Sequence, residues 1–193
     1  MDTSLLLDNF RYYVEFSDED FAKFLPLLTP FTLKKNEVFY KAGQVPKYSP
    51  FILKGCVRQF VTDENGAEQT ILFTEEGMWS GQIGSMRSKI PTNVTLQAIE
   101  YCELVGITLE NIDYAMEIIP AYRRYFTKKY PIDHARFLEQ ANRLKTESPE
   151  TLYLALLQQH PSLILRVPQH YIANYLGVRT ETISRIRNKI ANR

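Results

Sequence analysis

The sequence predicts an α+β protein with an N-terminal antiparallel β-roll, a long connecting helix and a C-terminal helix-turn-helix. Three observations predict it. Seven of the eight glycines fall between Phe31 and Ile107, among short β-type runs. After Ile107 the apolar spacing turns helical and stays so. The run Gln169 to Asn188, QHYIANYLGVRTETISRIRN, then reads as two short helices about a tight turn. The expected divisions are 1–110 for the roll with an N-terminal helix, 111–146 for connecting and dimerisation helices, and 147–193 for the helix-turn-helix.

The opening segment is helical, with Ser17 and Asp20 as a capping pair ahead of Phe21, Phe24, Leu25 and Leu28, and Pro30 is expected to end it. The β-type runs are FTL, EVFY, FILKGCVRQFVT, EQTILFT, NVTLQAI and CELVGIT, punctuated at Ala42-Gly43, at Asp63 to Gly66 and at Glu76-Gly77. Asn65-Gly66 is the clearest hairpin signal, since both residues tolerate positive φ. Leu109 to Ile118 reads as a short helix, and Pro120 suits the start of a longer one reaching about Lys145. Within it Tyr130, Phe137 and Leu144 recur at seven, with Phe126 and Ala141 near the same seam. That spacing suits a dimer seam or one buried in the monomer. Pro131 removes a backbone donor and should kink the helix. Ser148-Pro149 starts the next helix, Pro161 ends it, and Pro168 opens the first helix of the turn motif.

In that motif Ala173 allows a close helix crossing and Gly177 supplies the turn's positive φ. Ile172, Leu176, Val178, Ile183 and Ile186 fall where the helices would bury against each other. Ile183, Ile186 and Ile190 recur at i, i+3 and i+7, which leaves Glu181, Ser184, Arg185 and Asn188 on the opposite face. An ordinary helical hairpin with a solvated face would share this pattern. Charge favours a reader of polyanions: residues 121–193 hold 13 Lys plus Arg against 5 Asp plus Glu, while residues 1–120 hold 10 against 17.

Composition, with 45% hydrophobic and 23% charged residues, is that of a globular chain. No apolar run approaches the roughly 18 residues of a membrane span, and Asp2 and Asp8 sit where a signal peptide needs positive charge, so a cytoplasmic protein with no membrane partner is expected. Cys56 and Cys102 are too few for a cysteine-ligated cluster and read as buried thiols, with a disulfide left open. No histidine precedes His134, so a roll with a two-histidine metal site is not expected. Gly-x-Ser-x-Gly, phosphate-loop and His-Glu-x-x-His motifs are absent, and neither an enzyme nor a bound metal is expected.

The order β-roll, connecting helix and helix-turn-helix, closing on Glu181-Thr182-Ile183-Ser184-Arg185, resembles the Crp/Fnr family of bacterial transcription factors over nearly the whole chain. The resemblance implies a jelly-roll of the cyclic nucleotide-binding kind and a homodimer whose two recognition helices, residues 180–191, read a near-palindromic DNA site. RNA polymerase is implied as a further partner. It also implies that Glu181 accepts from a cytosine amino group and that Arg185 donates to guanine O6 and N7, each contact worth roughly 1–3 kcal/mol of discrimination. Ser184 would touch a neighbouring base. Arg179, Thr180, Arg187, Lys189 and Arg193 are assigned to phosphates.

The chain departs from the family in the roll. Where nucleotide-binding members carry a glutamate for the ribose, this chain reads Gly81-Gln82-Ile83-Gly84, and Thr92-Asn93 replaces the Arg-Ser pair that holds the cyclic phosphate. A buried phosphate without a cation is costly, so tight cyclic-AMP binding is not expected and no cofactor is assigned. Gly81, Gln82, Arg87, Lys89, Thr92 and Asn93 are the candidate effector pocket, with Arg87 or Lys89 as substitute cations. An iron-sulfur sensor lacks its cysteines, and a haem sensor lacks a histidine in the roll. His134, on the dimer helix, is a candidate pH-sensitive contact or a plain solvent-facing residue. Arg179 stands where the family has a Ser or Thr cap, so either a cap one residue late, at Thr180, or a missing cap is expected. A β-hairpin wing after residue 193 is not expected, and Leu163 to Val167 is the candidate for one. The competing reading is a ligand- or partner-binding roll whose helix-turn-helix is only a scaffold.

Overall fold

The computed structural model describes residues 1–191. Two helices, α1 (Ser4–Tyr13) and α2 (Asp18–Phe24), precede the roll, and the Ser17 hydroxyl caps α2 by accepting from the Asp20 N–H at 3.0 Å. The strands are β1 (Leu28–Leu33), β2 (Val38–Tyr40), β3 (Tyr48–Lys54), β4 (Val57–Thr62), β5 (Glu68–Thr74), β6 (Thr95–Ala98) and β7 (Cys102–Thr108), with a short helix α3 (Ile83–Ser88) between β5 and β6. They form two antiparallel sheets, ordered β1-β7-β3 and β2-β6-β4-β5. Leu33, Ile52, Val57, Leu96 and Leu104 fill the core between them. The run FILKGCVRQFVT is two strands, because Gly55 turns the chain at φ 91° and a Cβ there would meet the Tyr101 carbonyl oxygen at 2.5 Å.

Pro30 does not end a helix. It lies in β1 opposite Val105, where an edge strand tolerates a missing N–H. At the β4–β5 hairpin the positive φ falls on Gly66 and not on Asn65. The Asp63 carboxylate orders the turn by accepting from the N–H groups of Asn65 and Ala67.

Helix α4 (Leu109–Ile118) starts at Thr108, whose hydroxyl accepts from the Asn111 N–H, and α5 (Pro120–Thr146) follows with Pro131 inside it. Phe10, Phe24, Phe51, Ile107, Ile112 and Tyr122 join α1, α2, α4 and α5 to the three-stranded sheet. The heptad residues of α5 divide. Phe126 packs against this core and Leu144 against the C-terminal one, whereas Tyr130 and Phe137 remain 52% and 46% exposed.

Helices α6 (Pro149–Gln159), α7 (Pro161–Arg166), α8 (Gln169–Tyr175) and α9 (Thr180–Ala191) complete the described chain. Ser148 caps α6 through the Thr151 N–H. Leu163 to Val167 supplies no wing, because it is the helix α7 and its C-cap, and no strand follows β7 among the described residues. The C-terminal core holds Ile172, Ala173, Leu176, Ile183 and Ile186, with Val178 and Ile190 against it, and it continues into the roll through Cys56, Phe73 and Ile99. Both cysteines are free and buried, and burial pushes the Cys102 thiol up to about 11.

Candidate functional site

Helices α8 and α9 are joined through Gly177 at φ 67°, and the Val178 N–H donates back to the Ala173 carbonyl at 2.9 Å. Ile183 at 0% and Ile186 at 8% exposure pin α9 against its neighbours, which leaves Glu181, Ser184, Arg185 and Asn188 exposed on its other side. The helix begins at Thr180, and the Thr182 N–H donates to the Arg179 carbonyl at 3.0 Å. Arg179, Thr180, Arg187 and Lys189 are exposed too. Among the described residues Arg179, Arg185 and Arg187 make no salt bridge, whereas Lys189 is held by Glu150 at 2.7 Å. Arg193 lies outside the described residues. One face of α9 therefore carries a carboxylate, a hydroxyl and a guanidinium within one turn, flanked by cations.

The basic surplus of the second half is partly consumed inside the molecule. Arg166, on α7, binds Glu76 at 2.7 Å, Glu100 at 2.9 Å and Glu75 at 3.3 Å, all on the roll. His160 Nδ1 lies 2.8 Å from Glu75, and Ser162 donates to the same carboxylate. The His160 hydrogen bond, with those of Ser162 and Arg166, holds Glu75 below its usual range against the cost of burial. For Glu76 burial pulls upward, and the Arg166 guanidinium with the Gly55 N–H outweighs it. Arg166 is itself held more firmly charged by its bond to Glu76, while its Nε is buried without a partner. These residues lie 66 to 91 positions apart, and no local pattern marks them.

A second contact joins α8 to β5, the free edge of the four-stranded sheet. The Asn174 carboxamide accepts from the Thr70 N–H and donates to the Glu68 carbonyl, and the Asn174 carbonyl accepts from the Gln69 side chain. Beside it the Arg58 guanidinium sits 4.1 Å from the ring centres of both Phe60 and Tyr171. Arg58, 2% exposed, also donates to Glu68 and Gln97.

Between the roll and α5 lies a cavity of about 410 Å³. Of the residues expected to form an effector pocket, Gly81 and Gln82 line it. The others do not: Arg87 is exposed and pairs with Asp113 at 2.8 Å, while Lys89 caps α3 in a left-handed conformation. Thr92 is buried in a turn, its N–H donating to Gln44 and its carbonyl accepting from Gly43, and Asn93 is exposed. Neither Arg87 nor Lys89 therefore supplies the cavity with a cation. Its inner end is a row of neutral groups. Gln82 donates to Gln59 at 3.0 Å, Gln59 to Ser80 at 3.0 Å, and Ser80 shares a hydrogen bond with Thr74. The walls are aromatic. Trp79 donates to the Tyr125 hydroxyl at 3.0 Å, and Tyr125 to Asn9 at 2.6 Å. On α5 the lining also holds the buried Lys129, paired with Asp133, and the exposed His134. The sequence reading missed this aromatic lining, whose members come from α5 and the segment after β5.

Residues 30–118 match the cyclic nucleotide-binding domain family model. The chain is 25% identical over 165 residues to the transcriptional activator protein FnrA of Stutzerimonas stutzeri, covering 80% of this chain and 67% of that protein. It is 20% identical over 155 residues to the cAMP-activated global transcriptional regulator CRP of Pasteurella multocida, covering 75% and 74%. Among solved structures, the c-di-GMP responsive global regulator CLP of Xanthomonas campestris superposes with a TM-score of 0.71 at 17% identity, covering 91% and 92% of the two chains. The β-roll, the long helix and the C-terminal helices thus share the fold of Crp/Fnr regulators, as the resemblance implied. Among the described residues no helix is long and apolar enough to cross a membrane.

Proposed function

We propose that the protein is a sequence-specific, DNA-binding transcription regulator that acts as a homodimer. The observation that carries this reading is the face of α9, where Glu181, Ser184 and Arg185 stand exposed while Ile183 and Ile186 are buried. A carboxylate complements the cytosine amino donor, and a guanidinium fork complements guanine O6 and N7. Arg179, Thr180 and Arg187 serve the phosphates, with Lys189 joining them on release from Glu150. The similarity to regulators such as FnrA and CRP supports the same assignment. Half-exposed Tyr130, Phe137 and Leu138 on α5 offer a seam to a second copy, which would set two α9 helices about 34 Å apart on successive major grooves.

Cyclic AMP is not the gating ligand in this proposal. Thr92 and Asn93 lie outside the cavity lining, and the lysine that lines it is already paired with Asp133. The test is selection of DNA from a random pool without added ligand, followed by affinity against salt for the winning site. A palindromic winner preferred by about 10³-fold or more over random DNA is the expected result. Salt-sensitive binding without preference would leave the C-terminal helices as a scaffold and overturn the reading.

A further inference from the structure

We infer that the cavity between the roll and α5 binds an uncharged, planar aromatic molecule. Its volume of about 410 Å³ lies within the roughly 300–1,000 Å³ that small ligands occupy. Trp79, Tyr122, Tyr125 and Phe126 line it with ring surface, which favours a flat partner. The polar groups at the inner end, Gln59, Ser80 and Gln82, are neutral and already bonded to one another, so they orient a hydrogen-bonding substituent without supplying charge. Lys129 and Asp133 neutralise each other in the lining, to which His134 adds an exposed side chain. An anion entering would meet no unpaired lysine or arginine in the lining, and a cation would compete with Lys129 for Asp133. Either would bury a charge at a cost that an uncharged ring system does not bear.

The inference goes beyond the DNA reading, and its test needs no DNA. Trp79 is the chain's single tryptophan and lines the cavity, so its emission reports on this site. The probes are N-phenyl-1-naphthylamine, cyclic AMP, and 8-anilinonaphthalene-1-sulfonate, which carries the first probe's ring frame plus a sulfonate. The neutral amine is expected to quench Trp79 saturably and to bind about tenfold or more tightly than the sulfonate. Cyclic AMP is expected neither to quench nor to displace it. Ile83→Phe, which adds volume at a partly buried lining position, should weaken the amine by about tenfold. Absence of saturable quenching, equal or tighter binding of the sulfonate, displacement by cyclic AMP, or unchanged binding in a folded Ile83→Phe protein would each overturn the inference. If that variant does not fold, the probe series on the wild-type protein decides alone.

Discussion

Asn174 pairs with Thr70 as a neighbouring strand would: its side-chain carbonyl accepts the Thr70 N–H at 2.5 Å, across 104 residues of sequence. Its amide donates to the Glu68 carbonyl at the same time, so one side chain satisfies a donor and an acceptor on the free edge of β5. Helix α8 is thereby registered on the roll of its own chain.

Asn174→Ala should therefore leave two edge groups unpaired wherever the contact stays closed, a loss of about 1–3 kcal/mol. Faster hydrogen exchange at the Thr70 amide is the expected signature. Asn174→Asp keeps the acceptor but sets a carboxylate oxygen against the Glu68 carbonyl, so it should not rescue. Native-like protection of Thr70 in both variants would show that the pairing contributes nothing.

Acid should open the same interface at its other end. Glu75 and Glu76 are held below the ordinary carboxylate value of 4.5, so the folded state binds fewer protons than the unfolded one. Their contribution is complete above that value and is lost as pH falls through the lower folded values. Thermal unfolding across this acid range should show a shallower decline for the Glu75→Gln, Glu76→Gln double variant than for wild type. Parallel curves would refute the linkage.

Adjacent positions on α9 should respond in opposite ways to truncation. Ile183 is fully buried, and Ile183→Ala should cost about 2–5 kcal/mol in denaturant unfolding. Ser184 is exposed, and Ser184→Ala should stay within about 0.5 kcal/mol. A reversed order would mean that α9 is rotated from the face described.

For DNA, Arg185→Ala and Glu181→Ala should each relax preference at one base position by about 1–3 kcal/mol. Arg187→Ala should weaken all sequences alike and lower the salt slope by about 1. Unchanged site preference in the first two variants would remove them as base readers.

Phe137→Glu places a charge on the half-exposed α5 face and should shift sedimentation toward the monomer. A dimer of undiminished affinity would move the seam elsewhere.

Local chemistry made much of this protein legible from its sequence. Ser17 and Ser148 cap helices through their own neighbours, and Gly177 makes the turn between α8 and α9 because only a few residues accept its φ. The isoleucines of α9 show their buried face through spacing alone. Sequence reading failed where a residue's role depended on topology. Pro30 reads as a stop until its strand proves to be an edge, and Leu163 to Val167 has strand-like composition but closes as a helix. The candidate effector pocket, residues 81–93, is a local stretch of sequence, whereas the cavity is assembled from the roll and α5, with Trp79 bonded to a tyrosine 46 residues away. Arg166, Asn174 and the three glutamates carry no mark of their partnership in the chain. Periodicity and capping are set by contacts within a few residues, which a sequence displays. Pairings across 66 to 106 residues exist only once the sheets have closed and α5 has brought the C-terminal helices back onto them.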